Sequence, residues 1–187
     1  MPVRVRLTYK DLEQLPEDDG KKYELHEGDL FVTAAPRLDH QEFAGELFVW
    51  LRDFVRRNRL GKVYQHVDVS FSDDTVYTPD IAFVGSSKAG QRTRRFVRGA
   101  PDLVVEVLSP TTEARDRRLK LQSYARHGGA EYWLCDADAR RVEVLVLRGG
   151  NFEILAVFGE NDTLRSEVLK GLEIPLEEVW PERLPEE

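Results

Sequence analysis

The segment Pro101-Asp102-Leu103-Val104-Val105-Glu106-Val107-Leu108-Ser109-Pro110 constrains the chain more than any other. Leu103 to Leu108 is an apolar run of strand length, interrupted only by Glu106 and stopped by a Ser-Pro breaker. Runs of this kind are central strands buried on both faces. A carboxylate there has to be paired or bound to a metal, because an isolated buried charge is too costly to keep. Two readings follow: a structural Glu satisfied by an arginine or a backbone amide, or a group working in a site.

The rest of the composition narrows the class. With 187 residues, 41% hydrophobic and 33% charged, the chain suits one domain spanning residues 1–187 with a sizeable core. A single cysteine, Cys135, rules out an intrachain disulfide framework or a zinc cluster and fits a reducing, cytoplasmic setting. No run reaches membrane-spanning length, and Met1 to Arg6 is not a signal peptide, so no membrane partner is expected. The net charge of -7 argues against a general nucleic-acid coat, but its distribution is uneven. Gly85 to His127 carries ten basic side chains against four acidic ones, +6, which leaves -13 for the remainder. A solvated loop and helix face would explain this, and so would a phosphate-bearing partner.

Taken in order, Val3 to Tyr9 reads as a short edge strand and Asp11 to Gly20 as a loop. Tyr23 to His26 and Leu30 to Thr33 flank Glu27-Gly28-Asp29 as a hairpin, with Glu24 and His26 on the face opposite Tyr23 and Leu25. Phe43, Ala44, Leu47, Phe48, Leu51, Phe54 and Val55 recur at helical spacing, predicting an amphipathic helix from about Asp39 to Asn58. His40 falls on its inner face in the first turn. Lys62 to Phe71 alternates as a strand, Asp73-Asp74 turns, and Thr75 to Val84 returns, with Pro79 marking a strand start, bulge or edge. Gly85 to Ala100 reads as a flexible basic loop. Thr111 or Thr112 can cap a helix that ends at Gly128-Gly129. Glu131 to Asp136 is another strand, and Arg141 to Leu147 with Asn151 to Phe158 forms a hairpin around Arg148-Gly149-Gly150.

This order puts Asp80 and Glu106 on separate strands. Neighbouring strands lie about 4.8 Å apart, so carboxylates at matched levels on one face could share a divalent cation. Mg²⁺ or Mn²⁺, with Asp80, Glu106 and the Val107 carbonyl as ligands, could activate water and neutralise a phosphodiester. Glu106 stands about 10 Å from the strand end at Ser109, at ~3.3 Å per residue. Lys120 returns about 13 Å along the following helix, at ~1.5 Å per residue, so the two can come level. A glycosidase using the two carboxylates is a third possibility, but it needs about 5 Å or more between them and a sugar cleft.

Pro79-Asp80, the opening strand, Asp116, Lys120, Tyr124 and Glu131-Tyr132-Trp133-Leu134 together resemble the bacterial Uma-type restriction endonucleases of the PD-(D/E)XK nuclease superfamily. Tyr23-Glu24-Leu25 with Gly28, and Pro36 with His40, fit the same pattern, so the resemblance runs from about Tyr23 to Phe158. It implies an α/β, restriction-endonuclease-like mixed central sheet flanked by helices, with extra N-terminal and C-terminal hairpins. The nuclease-like core would span about 23–147, followed by C-terminal strands and a tail from 148 to 187. It also implies metal-dependent cleavage of DNA, with Asp80, Glu106 and Lys120 catalytic and Glu24, His40 and Tyr124 at the rim of the site. The superfamily's usual lysine lies two residues after the acidic one, where this chain has Leu108. Lys120 would have to replace it. Lys88, Arg92, Arg94, Arg95, Arg98, Arg115, Arg117 and Arg118 would hold the DNA backbone, with salt-sensitive affinity. Cutting both strands would favour a homodimer or higher homo-oligomer. A non-catalytic nucleic-acid-binding or assembly module on the same fold is the alternative.

Overall fold

The computed structural model describes residues 5–16, 20–109 and 116–183. The proposed cap at Thr111 or Thr112 and Arg115 lie outside them. The expected edge strand over Val3 to Tyr9 is not seen in its described part: Leu7 only hydrogen-bonds back to the Gly28 carbonyl, and a short helix α1 (Tyr9–Leu12) follows. Strands β1 (Lys21–His26) and β2 (Asp29–Ala34) form the first hairpin. Its turn residues Glu27 and Gly28 both take positive φ, 49° and 82°, as a tight right-twisted hairpin requires.

Helix α2 (Leu38–Arg57) buries Phe43, Ala44, Leu47, Leu51 and Val55, the face that the three- and four-residue spacing predicts. Two expected strands are each divided. His66 takes a left-handed φ of 47°, which splits the first into β3 (Gly61–Gln65) and β4 (Asp68–Ser72). Thr78-Pro79-Asp80 splits the second into β5 (Thr75–Tyr77) and β6 (Ile81–Gly85). Proline fixes φ and lacks an N–H, so the ladder stops there and the chain changes sheet. The basic segment after Gly85 is not all loop either. It holds short 3₁₀ turns over Ser86–Gln91 and a strand, β7 (Phe96–Arg98), parallel to β4.

The apolar run forms β8 (Leu103–Val107), buried at every position. After it come a π-helical turn, Asp116–Lys120, the helix α3 (Leu121–Arg126), and β9 (Glu131–Asp136), which pairs parallel with β8. Strands β10 (Arg141–Arg148) and β11 (Asn151–Phe158) make the C-terminal hairpin, and β12 (Thr163–Arg165) pairs with β13 (Glu173–Pro175).

A six-stranded mixed sheet in the order β11-β10-β9-β8-β6-β3 is the centre of the fold, with β8 among its interior strands. One face carries Ile81, Phe83, Leu103, Val105, Trp133 and Val144 against α2 and the tail residues Leu164, Leu172 and Ile174. The other carries Val84, Val104, Tyr132, Leu134 and Leu145 against Tyr124 of α3 and against Val69, Tyr77 and Val97 of a second sheet, ordered β2-β1-β5-β4-β7. The result is the mixed α/β architecture anticipated above, hairpins included. Burying a Leu- or Val-sized side chain contributes roughly 1.5–3 kcal/mol, so each face supplies stability well beyond local propensity. No helix among the described residues is long and apolar enough to cross a membrane.

Candidate active site between the two sheets

Antiparallel pairing of β6 with β8 sets Ile81 opposite Val105 and Ala82 opposite Val104. Continuing that register by one residue sets Asp80 opposite Glu106, on the face turned toward the second sheet. Asp80 is tied to β8 through the residue after Glu106: the Val107 N–H donates to Asp80 Oδ2 at 2.8 Å. The two carboxylates, far apart in sequence, thus line one cleft.

Lysine reaches Glu106 from the helix side. Lys120 Nζ lies 2.9 Å from Glu106 Oε1 and 2.9 Å from Glu24 Oε1, with the lysine side chain only 1% exposed. Lys120 closes the π-helical turn, whose wider winding changes the direction of the next side chain relative to a regular helix. Its ammonium also lies 5.8 Å from the centre of the Tyr77 ring, a cation–π distance. Charge-assisted bonds of this kind are the strong ones, and they hold three buried charged groups in one geometry. Glu24 accepts a further bond from the Thr78 N–H at 2.9 Å, tying β1 to the segment that leads into Asp80.

Asp80 has its own cations. Lys22 Nζ is 3.5 Å from Oδ1, and His40 Nε2 is 3.3 Å from Oδ2. Burial pushes the Asp80 carboxyl up, but Lys22, His40 and the Val107 N–H outweigh it and hold the group below the usual carboxylate range. Asp80 is therefore ionised at neutral pH. Burial also pulls the neighbouring His66 imidazole below its ordinary value, against the attraction of Asp80. The Tyr124 phenol is pushed well up, first by burial and then by the Glu106 charge.

These groups line a cleft of about 940 Å³ between the sheets, with Asp80, Glu106, Lys22, Lys120, His40 and His66 on its walls. Asp68 lines it as well, bonded to the Thr78 hydroxyl at 2.8 Å, and burial raises its carboxyl. Glu24 and Tyr124 do not line the cleft. They sit behind Lys120, Glu24 by its ion pair and Tyr124 in the core beside Tyr77.

Lys22, His66 and Asp68 were not singled out from the sequence. For Lys22 a signal existed: it alternates with Glu24 and His26, so the three share one face of β1. His66 and Asp68 gave none, because a single alternating strand was expected through them.

The basic residues scatter. Lys88 Nζ donates to the Ala100 and Gly128 carbonyls and lies 3.2 Å from Asp102, and Arg117 grips Glu143 with two bonds of 2.9 and 3.1 Å. Arg95 lines the cleft and pairs with Glu13 at 2.7 Å. Arg98 lies over the Phe96 ring, Arg94 and Arg118 are exposed, and Arg92 lines a separate groove.

Asp80 and Glu106 supply oxygen donors of the kind that Mg²⁺ or Mn²⁺ takes, and both face the cleft. Among the described residues no three His, Cys, Asp or Glu side chains are already gathered for a metal. A magnesium-like ion, which keeps several waters, fits two carboxylates better than a fully caged ion would.

The chain matches the Uma2 family, described as "Putative restriction endonuclease", over residues 9–177. It belongs to that family. A solved structure similar to this Uma2 chain is that of a putative nuclease belonging to DUF820 from Anabaena variabilis ATCC 29413. The two are 20% identical with a TM-score of 0.76, covering 93% of this chain and 97% of that one. At that identity the likeness establishes a common fold. No curated protein matches the Uma2 chain at a significant level.

Proposed function

We propose that the protein is a metal-dependent endonuclease that hydrolyses DNA phosphodiester bonds. The observation that carries the reading is Asp80, at the entry to β6, held by the Val107 N–H beside Glu106 of β8, with Lys120 Nζ 2.9 Å from Glu106. Asp80, Glu106 and the Val107 carbonyl would hold Mg²⁺ or Mn²⁺, which when bound supplies positive charge against the phosphate and makes a water molecule easier to deprotonate. Lys22 and His40 keep Asp80 ionised. Lys120 orients Glu106 and places a fixed positive charge where negative charge grows on the phosphate. Because the ammonium is already buried and bonded, little reorganisation accompanies that step.

The usual lysine position supports the same assignment of roles. Leu108 packs against the core on the second-sheet side, and the cation arrives from the helix instead. A homodimer or higher homo-oligomer belongs to this proposal, since two active sites would cut both strands. The edge strand β11 exposes Ile154, Leu155 and Val157, an apolar surface suited to self-association.

Nicking of supercoiled plasmid with Mg²⁺ or Mn²⁺ tests the reading. Wild type should nick; Glu106→Gln and Lys120→Ala should not. Nicking that survives Glu106→Gln overturns the mechanism. Salt-dependent DNA binding with no cleavage under either metal would instead favour a non-catalytic binding module on this fold.

A further inference from the structure

At the opposite end of β3 from the cleft is a second concavity of about 720 Å³, between the C-terminal part of α2, the start of β3 and the segment after β6. Arg52, Arg56, Arg59, Lys62 and Arg92 line it, and among the described residues no carboxylate does. Arg52 has Asp53 at 3.9 Å; among the described residues the other four have no carboxylate within ion-pair distance. Arg92 is held inward by a bond from Nε to the Ala89 carbonyl at 3.3 Å. In a chain of net charge -7, five cations converge on one groove. Like charges repel, and a bound polyanion relieves that repulsion.

Strand β3 connects this groove to the cleft. Among the described residues it is an edge strand, with one side of its backbone lacking a strand partner. Gly61 and Lys62 line the groove, and His66, just past the other end, lines the cleft and donates its N–H to the Asp80 carbonyl at 3.3 Å. From Gly61 to His66 the chain carries no carboxylate. The alternative route, along the solvent face of α2, exposes Glu42 and Glu46 near the cleft. Of these two routes, the one along β3 is the more favourable for a polyanion.

We propose that this groove is a second phosphate-binding site, which holds the backbone of the same nucleic acid several nucleotides from the bond placed in the cleft. The inference rests on the nucleic-acid reading above and adds where the strand runs. Five residues of β3 span about 16 Å at ~3.3 Å each, roughly five steps of a nucleic-acid strand at ~3.4 Å. Contacts here are to phosphate, so they add affinity without reading sequence.

The test is binding of a fluorescently labelled DNA duplex in EDTA, where cleavage cannot occur, followed by anisotropy over a range of salt. Arg56→Ala/Lys62→Ala removes one cation from the helix and one from the edge strand, both exposed and, among the described residues, without a carboxylate partner, so the fold is retained. The expected result is a roughly tenfold loss of affinity, with the slope of log K against log salt shallower by about 2. Arg148→Ala/Arg165→Ala removes the same charge from the C-terminal strands and should leave affinity and slope as in wild type. Unchanged binding by the first variant, or an equal loss by the second, overturns the site. So does binding to phosphatidylserine vesicles in place of the duplex. Failure of the nuclease reading would appear separately, as plasmid left uncut by a protein that still binds DNA through this groove.

Discussion

Lys120 Nζ lies 2.9 Å from Glu106 Oε1, and the two side chains are 1% and 2% exposed. With Glu24 on the same ammonium, one cation neutralises part of two buried negative charges. Removing one member of a buried ion pair costs more than the pair contributes, because the partner is left charged and unsolvated.

Lys120→Met should therefore destabilise the protein by about 3–5 kcal/mol and abolish cleavage. Adding Glu106→Gln to that variant should restore part of the stability, since Glu24 keeps its buried charge, and none of the activity. Urea unfolding beside a nicking assay separates the structural contribution from the catalytic one. Equal stability of the single and double variants would contradict the pairing.

Asp80 gives a pH signature. Burial raises its carboxyl, yet Lys22, His40 and the Val107 N–H hold it below the ordinary range. A depressed carboxylate contributes stability that is complete above its unfolded value, about 3.9, and is lost as pH falls through the folded one. The melting-temperature difference between wild type and Asp80→Asn should thus stay constant from neutral pH to about 4 and shrink only below it. A difference that disappears between pH 7 and 5 would refute this assignment.

Glu131 anchors the tail to the central sheet. Its carboxylate accepts bonds from Trp133 Nε1 at 2.6 Å, the Ser166 hydroxyl at 3.1 Å, and the Glu167 and Val168 N–H groups, each at 2.8 Å. All four partners donate, so an amide would set its NH₂ against donors. Glu131→Gln should cost about 2–3 kcal/mol and release the β12–β13 segment to proteolysis. Resistance equal to wild type would refute this role.

Gly61 is required by close approach. A Cβ there would meet the Val84 carbonyl oxygen and would lie 2.8 Å from the Gly85 Cα, both backbone atoms that cannot swing aside. Gly61→Ala should push β3 off β6, destabilise the fold by about 1–3 kcal/mol, and weaken DNA binding more than it slows cleavage of bound DNA. Hydrogen exchange at the β3 amides would report the displacement.

Particular residues mark what was legible before folding. The helical spacing from Phe43 to Val55 and the paired turn residues Glu27-Gly28 and Gly149-Gly150 were readable because they are local. Their periods and φ preferences act within a few residues. The unusual Glu106 was readable too, since a charge within an apolar strand stands out against its neighbours.

The breaks at His66 and Thr78-Pro79-Asp80 were not. Alternation continues through both, and only the packing of two sheets decides where one ladder ends and another begins. Lys22 was missed for a related reason: its partner Asp80 sits at that break, where the chain passes from its own sheet to the other.

The sequence by itself determined that a carboxylate would be buried in a central strand, that Asp80 could pair with it, and that no lysine stood at the position of Leu108. It also offered Lys120 as the cation to answer Glu106, but only the tertiary structure brings the ammonium to the carboxylate. A strand alternates strictly, so Leu108 shares the face of Glu106 and fills it with an apolar group. The compensating charge had to come from another element. Whether Lys120 turns inward depends on the winding before α3 and on Glu24 arriving from β1, long-range contacts that no local pattern records.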